Sequence, residues 1–124
     1  MGCEVIAFSS TPDKREEALK FGAREFYATK GVSDYADLGI SKPIDRLIIT
    51  ASAKHDVSLY YPLLAKNATI LPLSVDRGDL VAPYMPTVFN GHRIVGSLVC
   101  SRFLQYVYIA PFLFRGAELN LAEG

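Results

Sequence analysis

Net charge is missing from this chain: thirteen Lys and Arg balance thirteen Asp and Glu over 124 residues. No broad basic field is available for nucleic acid or an anionic membrane, and a near-neutral surface eases self-association. Cysteine is scarce, with only Cys3 and Cys100, and the histidines are His55 and His92. None of these four stands at zinc-finger spacing, so no metal site of that kind is expected. Two distant cysteines make no disulfide framework, and both read as core residues at strand ends. Met1-Gly2-Cys3-Glu4 carries no basic leader, and Ile6 occupies the place where a myristoylation signal needs Ser or Thr. These absences lead to the expectation of a cytoplasmic protein with no nucleic acid and no membrane as partner. Internal repeats and low-complexity tracts are also lacking.

Half the residues are hydrophobic and 21% are charged. That composition suits one compact domain with a modest core. Glu4-Val-Ile-Ala-Phe8 reads as a short buried strand. Thr11 fits a helix N-cap, with Pro12 at the first helical position and Asp13 in the acid-favouring first turn. That helix is expected to reach about Phe21, with Ala18, Leu19 and Phe21 facing a sheet and Gly22 as a left-handed cap. Glu25–Ala28 is a weak second strand, and residues 29 to 43 read mainly as connection. Arg46–Thr50 is the clearest strand. His55 to Lys66 reads as a helix with Leu59, Leu63 and Leu64 on one stripe. Thr69 to Val75 is a fourth strand with an awkward Pro72. Arg93 to Val99 is a fifth. Strands separated by short helical segments imply right-handed βαβ units and a parallel sheet.

From Phe103 to Phe114 the chain is uncharged. About a dozen residues fall short of the ~20 that cross a bilayer. Two readings stand: a buried helix interrupted at Pro111, or an exposed patch that binds a partner or a second copy.

The run Glu4 to Ala23 resembles the second strand and following helix of the cinnamyl-alcohol-dehydrogenase branch of the zinc-type medium-chain alcohol dehydrogenases. The similarity continues through Asp45-Arg-Leu-Ile-Ile-Thr-Ala-Ser-Ala53, His55, Tyr60-Tyr-Pro-Leu-Leu64 and Gly91-His-Arg-Ile-Val-Gly-Ser-Leu-Val99, and fades after Arg102. No single motif decides it; the order and spacing do. The resemblance implies a Rossmann fold, a nicotinamide cofactor, a catalytic zinc and reversible oxidation of alcohols to aldehydes.

Dinucleotide folds that prefer NAD end the second strand with a carboxylate on the adenosine ribose. Here that strand ends in Ser9, Ser10 and Thr11, with Lys14 and Arg15 just beyond. Hydroxyls and cations suit a 2′-phosphate, where a carboxylate would repel it. Similar NADP-dependent enzymes carry Ser at the place of Ser9 and Lys at that of Lys14. They often carry Arg where this chain has Ser10. The competing reading is that Ser9 to Thr11 only turn the chain and cap the helix. By resemblance, Thr50, Ala51 and Ser52 line the ribose side, and Leu73, Val75, Gly96, Ser97 and Leu98 flank the nicotinamide half. Ordinary strand ends with small residues would look the same. Neither histidine is given a catalytic role, and no catalytic residue is assigned.

The family's phosphate seat is a glycine-rich turn after its first strand. The sequence contains no G-x-G-x-x-G, and no set of zinc ligands matches either. Hydride transfer polarised by a metal is therefore not expected of this span by itself. The expected architecture is α/β: a partial, doubly wound Rossmann-like parallel sheet lacking the usual first strand. Removing strand 1 from the order 3-2-1-4-5-6 and closing the gap leaves 2-1-3-4-5. The alternative is a strand borrowed from a second copy. Residues 1–102 would form this truncated NADP-binding domain, with residues 103–124 an atypical apolar segment packed on it. The functional expectation is the cofactor-binding part of an NADP-dependent alcohol dehydrogenase, inactive alone and without zinc. The alternatives are a non-catalytic module for a nucleotide or protein, and a self-associating protein driven by the tail. Members of the resembled family pair edge strands between subunits. Met85 to Phe89 lies in the matching segment, so a homo-oligomer through that edge or the apolar tail is expected.

Overall fold

A computed structural model describes residues 2–51, 56–74 and 78–96. Ser52, His55, Val75, Ser97, Leu98, Cys100 and the segment 103–124 lie outside the described residues.

The first unit is a parallel βαβ. Strand β1, Ile6–Ser9, pairs with β2, Glu25–Ala28, in the register Ile6 to Glu25 through Ser9 to Ala28. Helix α1, Arg15–Lys20, is led in by a 3₁₀ turn at Pro12–Lys14. Thr11 holds the extended N-cap conformation, φ −120° and ψ 158°, but its hydroxyl makes no capping bond. Pro12 stands where its missing amide costs nothing. Gly22, at φ +96°, reverses the chain, and its amide and that of Ala23 return to the carbonyls of Leu19 and Ala18. Phe21 does not face the sheet as expected; it is 81% exposed. The cause is the shortness of α1, since Phe21 is already the C-cap with ψ near 0° and has left the helical stripe.

The connection to the second unit contains a 3₁₀ helix, Tyr35–Leu38, started by Asp34, whose carboxylate accepts from the Ala36 amide at 2.9 Å. Strand β3, Ile44–Ile49, then pairs in parallel with β4, Leu64–Pro72, and β4 with β5, Arg93–Ile94. The crossover between β3 and β4 departs from the expected helix over 55–66. It is a 3₁₀ helix, Val57–Leu63, capped by Asp56, and β4 starts at Leu64. Pro62 explains this, because it has no amide to donate and disfavours α conformation at Tyr61. The early start of β4 requires a kink. Asn67 takes φ 60°, and the ladder jumps from Ile44–Leu64 to Arg46–Thr69. Pro72 ends the strand, where a missing donor is tolerated.

Residues Tyr84–Asn90 form helix α2, not the edge strand expected around Met85 to Phe89. Pro83 as N-cap and Pro86 in the first turn suit a helix start. Gly91, at φ 62°, closes it, and the His92 amide returns to the Thr87 carbonyl at 3.1 Å. Tyr84 and Phe89 are more than three-quarters exposed, with Met85 and Val88 also open. Strand β5 covers Arg93–Ile94 and the Val95 amide extends its pairing to the Ile70 carbonyl, while residues 97–99 of the expected run to Val99 lie outside the described residues.

The core centres on Ile70, fully buried, with Leu47, Val57 and Tyr61 around it. Phe26 is buried in the first unit. Cys3 is exposed, contrary to its reading as a core residue. His92 is buried through a different set of contacts: its Nε2 lies 3.1 Å from the Ala65 carbonyl and its ring meets Tyr61 edge-on.

The fold is α/β with parallel strands, as expected, and the neighbour orders 2-1 and 3-4-5 both occur. The link that would close them into one sheet is not made among the described residues. The strands form a two-stranded sheet, β1-β2, and a three-stranded sheet, β3-β4-β5. Side chains join the halves instead. Phe8 of β1 meets Tyr60 edge-on at 5.6 Å, Tyr60 meets Tyr35 at 4.9 Å, and Phe8 stacks near Tyr27 at 5.9 Å. Tyr60 also packs on the core of the second sheet.

Two outcomes follow. A Cβ on Gly91 would lie 2.7 Å from Asn67 Oδ1, at a left-handed backbone position. Gly91→Ala should therefore destabilise by about 1–2 kcal/mol, read as a lower urea midpoint at constant slope. Burial, helped by neighbouring Tyr35, pushes the Tyr60 hydroxyl up to about 12. A folded-state pKa above the unfolded value of about 10 gives stability that is intact below pH 10 and lost as pH rises toward 12. Thermal melts across that window should show the loss in the native chain and a shallower one in Tyr60→Phe.

Candidate functional site

In a parallel α/β sheet, ligands approach the carboxyl ends of the strands, where loops and helix starts leave backbone groups free. The amino ends here are tied off. Glu4, just before β1, lies 2.6 Å from Arg24 and 3.1 Å from Lys42, which stands just before β3. Ser9, Ser10 and Thr11 follow at the opposite end of β1, and Thr50 and Ala51 at that of β3. Leu73 leaves β4 with its amide on the Ile49 carbonyl at 2.9 Å, and Gly96 follows β5. Each of these residues is thus at the carboxyl end of its own strand, while Lys14 and Arg15 lie farther on, in the 3₁₀ turn and at the start of α1. Ser52, Val75, Ser97 and Leu98 lie outside the described residues.

The tip of β1 is the best defined part. The Ser9 carbonyl accepts from both the amide of Thr29, at 2.8 Å, and its hydroxyl, at 3.2 Å. The Lys30 amide donates to the Ser10 carbonyl at 3.0 Å. These bonds hold the backbone of Ser9 and Ser10 beside the segment after β2. Ser10 is exposed, and Thr11 is half-buried. Lys14 is exposed at the end of the 3₁₀ turn and forms no ion pair among the described residues. Arg15 is turned elsewhere. Its Nη1 lies 3.5 Å from the Phe26 carbonyl, over an open cleft shared with Leu19 and Arg24. The structure therefore brings Ser9, Ser10, Thr11 and Lys14 into one loop and leaves Arg15 aimed at β2.

Thr29 and Lys30 were not among the residues singled out from the sequence. Their part depends on parallel register, which sets the end of β2 beside the end of β1. The one available signal was a Thr directly after a strand. Among the described residues no three of His, Cys, Asp and Glu converge. Cys3 is alone and exposed, and His92 is engaged with a backbone carbonyl, so these residues do not fit a catalytic zinc and no step is derived through one. No helix among the described residues is long and apolar enough to cross a membrane.

Comparison with known proteins adds the family. The family model described as zinc-binding dehydrogenase matches residues 1–113, and the chain belongs to that family. Within it, the chain is a zinc-type alcohol dehydrogenase relative of the cinnamyl-alcohol-dehydrogenase kind. It is 27% identical over 99 residues to NADP-dependent alcohol dehydrogenase C 1 of Mycolicibacterium smegmatis, covering 80% of this chain and 28% of that protein. A cinnamyl alcohol dehydrogenase of Sorghum bicolor superposes with a TM-score of 0.66 at 27% identity, covering 77% of this chain and 27% of that one. The Helicobacter pylori enzyme complexed with NADP(H) gives 0.62 at 25% identity, covering 80% and 27%. The chain thus spans little more than a quarter of the length of the relatives it matches.

The anchoring at the amino ends of the strands, opposite the site, is acid-sensitive. Glu25 accepts from the hydroxyl and amide of Ser41 and, at 2.6 Å, from Tyr27. The Ser41 bond, then Tyr27, hold its carboxyl below the usual range, as Lys42 first and then Arg24 do for Glu4. A depressed carboxylate contributes stability above its unfolded pKa of about 4.3, and that contribution is lost as pH falls through the folded value. Native chain should therefore lose stability on acidification below about pH 4.5, and Glu25→Gln should show a flatter acid limb in melts from pH 7 to 3.

Proposed function

We propose that this chain is the cofactor-binding part of an NADP-dependent alcohol dehydrogenase, and that the tip of β1 is the subsite for the adenosine 2′-phosphate. The observation that carries the reading is the loop Ser9 to Lys14. It follows a parallel strand, is held by the Thr29 and Lys30 bonds, and presents hydroxyls and an exposed Lys14 ammonium that makes no ion pair among the described residues, with Asp13 as its one carboxylate. A dianionic ester gains charge-assisted bonds from such a set, whereas an NAD-type carboxylate would repel it. Support from relatives is that one is named NADP-dependent and another was solved with NADP(H).

In this reading Ser9, Ser10 and Thr11 donate hydroxyls to the phosphate, and Lys14 supplies its charge. Arg15 joins by rotating from the Phe26 carbonyl, a bond already long at 3.5 Å. Thr50 and Ala51 flank the ribose, and Leu73 and Gly96 the nicotinamide half, together with Ser52, Val75, Ser97 and Leu98. When bound, NADP supplies a hydride acceptor for alcohol oxidation. The residues of this span bind and orient it, and none is assigned to the proton or the metal. The isolated chain is accordingly a weak binder without dehydrogenase activity.

Self-association belongs to the same reading in a revised form. The edge-strand version of the 85–89 contact fails because that segment is helix α2. The exposed Tyr84, Met85, Val88 and Phe89 instead offer an apolar helix face for a second copy. A cytoplasmic location is proposed on the same family grounds.

Isothermal titration of the whole chain with adenosine 2′,5′-bisphosphate, NADP and adenosine 5′-monophosphate tests the subsite. Heat is expected with the first two. Lys14→Ala should weaken bisphosphate binding roughly tenfold, about 1.4 kcal/mol, and leave any monophosphate binding unchanged. Absence of heat with the bisphosphate, or binding indifferent to Lys14, would overturn the assignment.

A further inference from the structure

Helix α2 ends in Asn90, and Gly91 follows it as the cap. The sequence holds asparagine at 67, 90 and 120, and only the one at 90 precedes a glycine. That pairing has a chemical consequence. The backbone nitrogen after an asparagine can reach the carboxamide carbon of that asparagine, and a residue without Cβ leaves the approach unhindered. Asn67 precedes Ala68 inside β4, where a Cβ stands in the way.

In closed α2 both reacting groups are occupied. Asn90 Nδ2 donates to the Pro86 carbonyl at 3.0 Å. The Gly91 amide donates to the Val88 carbonyl at 3.3 Å and to the Thr87 carbonyl as well. Reaction therefore requires the last turn to open. The helix is built to open easily. It has seven residues and buries none of them, and an isolated helix shorter than about 12 residues is marginal in water. Its hold on the sheet is largely polar. The Tyr61 hydroxyl lies 2.8 Å from Thr87 Oγ1, and the amide of buried His92 returns to the Thr87 carbonyl at 3.1 Å. Tyr61 in turn belongs to the core around Ile70. A short element tied down in this way opens locally, without unfolding of the sheet beneath it.

We propose that Asn90-Gly91 is an intrinsic modification site, with water as the co-reactant and a rate set by the opening of α2. In the open state the Gly91 nitrogen gives its proton to a solvent base and attacks Asn90 Cγ. A succinimide ring closes, and the carboxamide nitrogen leaves as ammonia. Water adds to either ring carbonyl and cleaves the C–N bond there. The product is aspartate or isoaspartate at position 90; water is consumed, ammonia is released and nothing is oxidised. Either product resists re-closing. A carboxylate has no N–H for the Pro86 carbonyl, and its charge at the carboxyl end of α2 opposes the helix dipole. Isoaspartate also lengthens the main chain beside Gly91, where an added Cβ would already lie 2.7 Å from Asn67 Oδ1. Opening of α2 is thereby converted into a permanent change. The inference stands on α2 and is independent of the nucleotide reading.

The test follows the whole native chain in mildly alkaline buffer. Peptide mass spectrometry reads a gain of about one mass unit at Asn90, and enzymatic methylation detects isoaspartate. Conversion is expected in the native chain, and faster conversion in chain unfolded by urea. Tyr61→Phe and Thr87→Val each remove the bond that holds α2, the second without altering the core. Each should raise the native rate roughly fivefold. By NMR, the His92 amide should exchange faster in both variants and in Asn90→Asp, while the Leu73 amide, bonded to the Ile49 carbonyl, keeps its native rate. Equal rates in native and unfolded chain would overturn the proposal. So would an unmodified native chain at the time when the unfolded chain is fully converted, or a native rate indifferent to both variants. Leu73 exchange rising in step with that of His92 would mark the opening as global and overturn it too, as would unchanged His92 exchange in Asn90→Asp.

Discussion

Backbone hydrogen bonds build each half of this structure, and among the described residues side chains join the two sheets. A parallel ladder is cooperative because each bond fixes the register of the next. An aromatic contact and an ion pair are local and each contributes little at a wet surface. The junction between β1 and β3 depends on Phe8, Tyr60 and Tyr35 and on Glu4 with Lys42. Tyr60 has the central place, touching β1 through Phe8, the connecting 3₁₀ helix through Tyr35, and the core around Ile70. The carboxyl edge on which a cofactor would rest keeps its shape only while these contacts hold.

The tip of β1 shows how a loop can be set by its neighbours rather than by its own side chains. The Thr11 hydroxyl caps nothing, and Arg15 bonds to β2. Order in Ser9 and Ser10 comes from the Thr29 and Lys30 bonds. Among the described residues that arrangement leaves the hydroxyls of Ser9, Ser10 and Thr11 and the Lys14 ammonium uncommitted, which is what the proposed subsite for a charged ester requires. The chain spans little more than a quarter of the length of the relatives it matches and brings no metal ligands together among its described residues.

Local signals in the chain were read well where one residue type has one main use. Pro12 and Gly22 bracket the first helical segment. The β-branched run through Ile48 and Ile49 is a strand, and Ser9 to Lys14 lie at a strand tip. The reading failed where a local preference competed with the chain around it. Leu59, Leu63 and Leu64 suggested an α-helical stripe, but Pro62 tightened the segment to 3₁₀ and released Leu64 into β4. Met85 to Phe89 carries strand-forming residues, yet the prolines at 83 and 86 start a helix there.

By itself the sequence determined the α/β class, the parallel pairing within each unit and the family. Hydrophobic runs, prolines and glycines act over a few residues and leave their mark in the linear order. Tertiary structure alone decided that β1 and β3 are not paired with each other among the described residues, that Thr29 holds Ser9, and that Arg15 turns from the loop to Phe26. Those outcomes depend on which distant backbone groups come within about 3 Å of each other, a quantity set by register and packing that no local pattern of residues encodes.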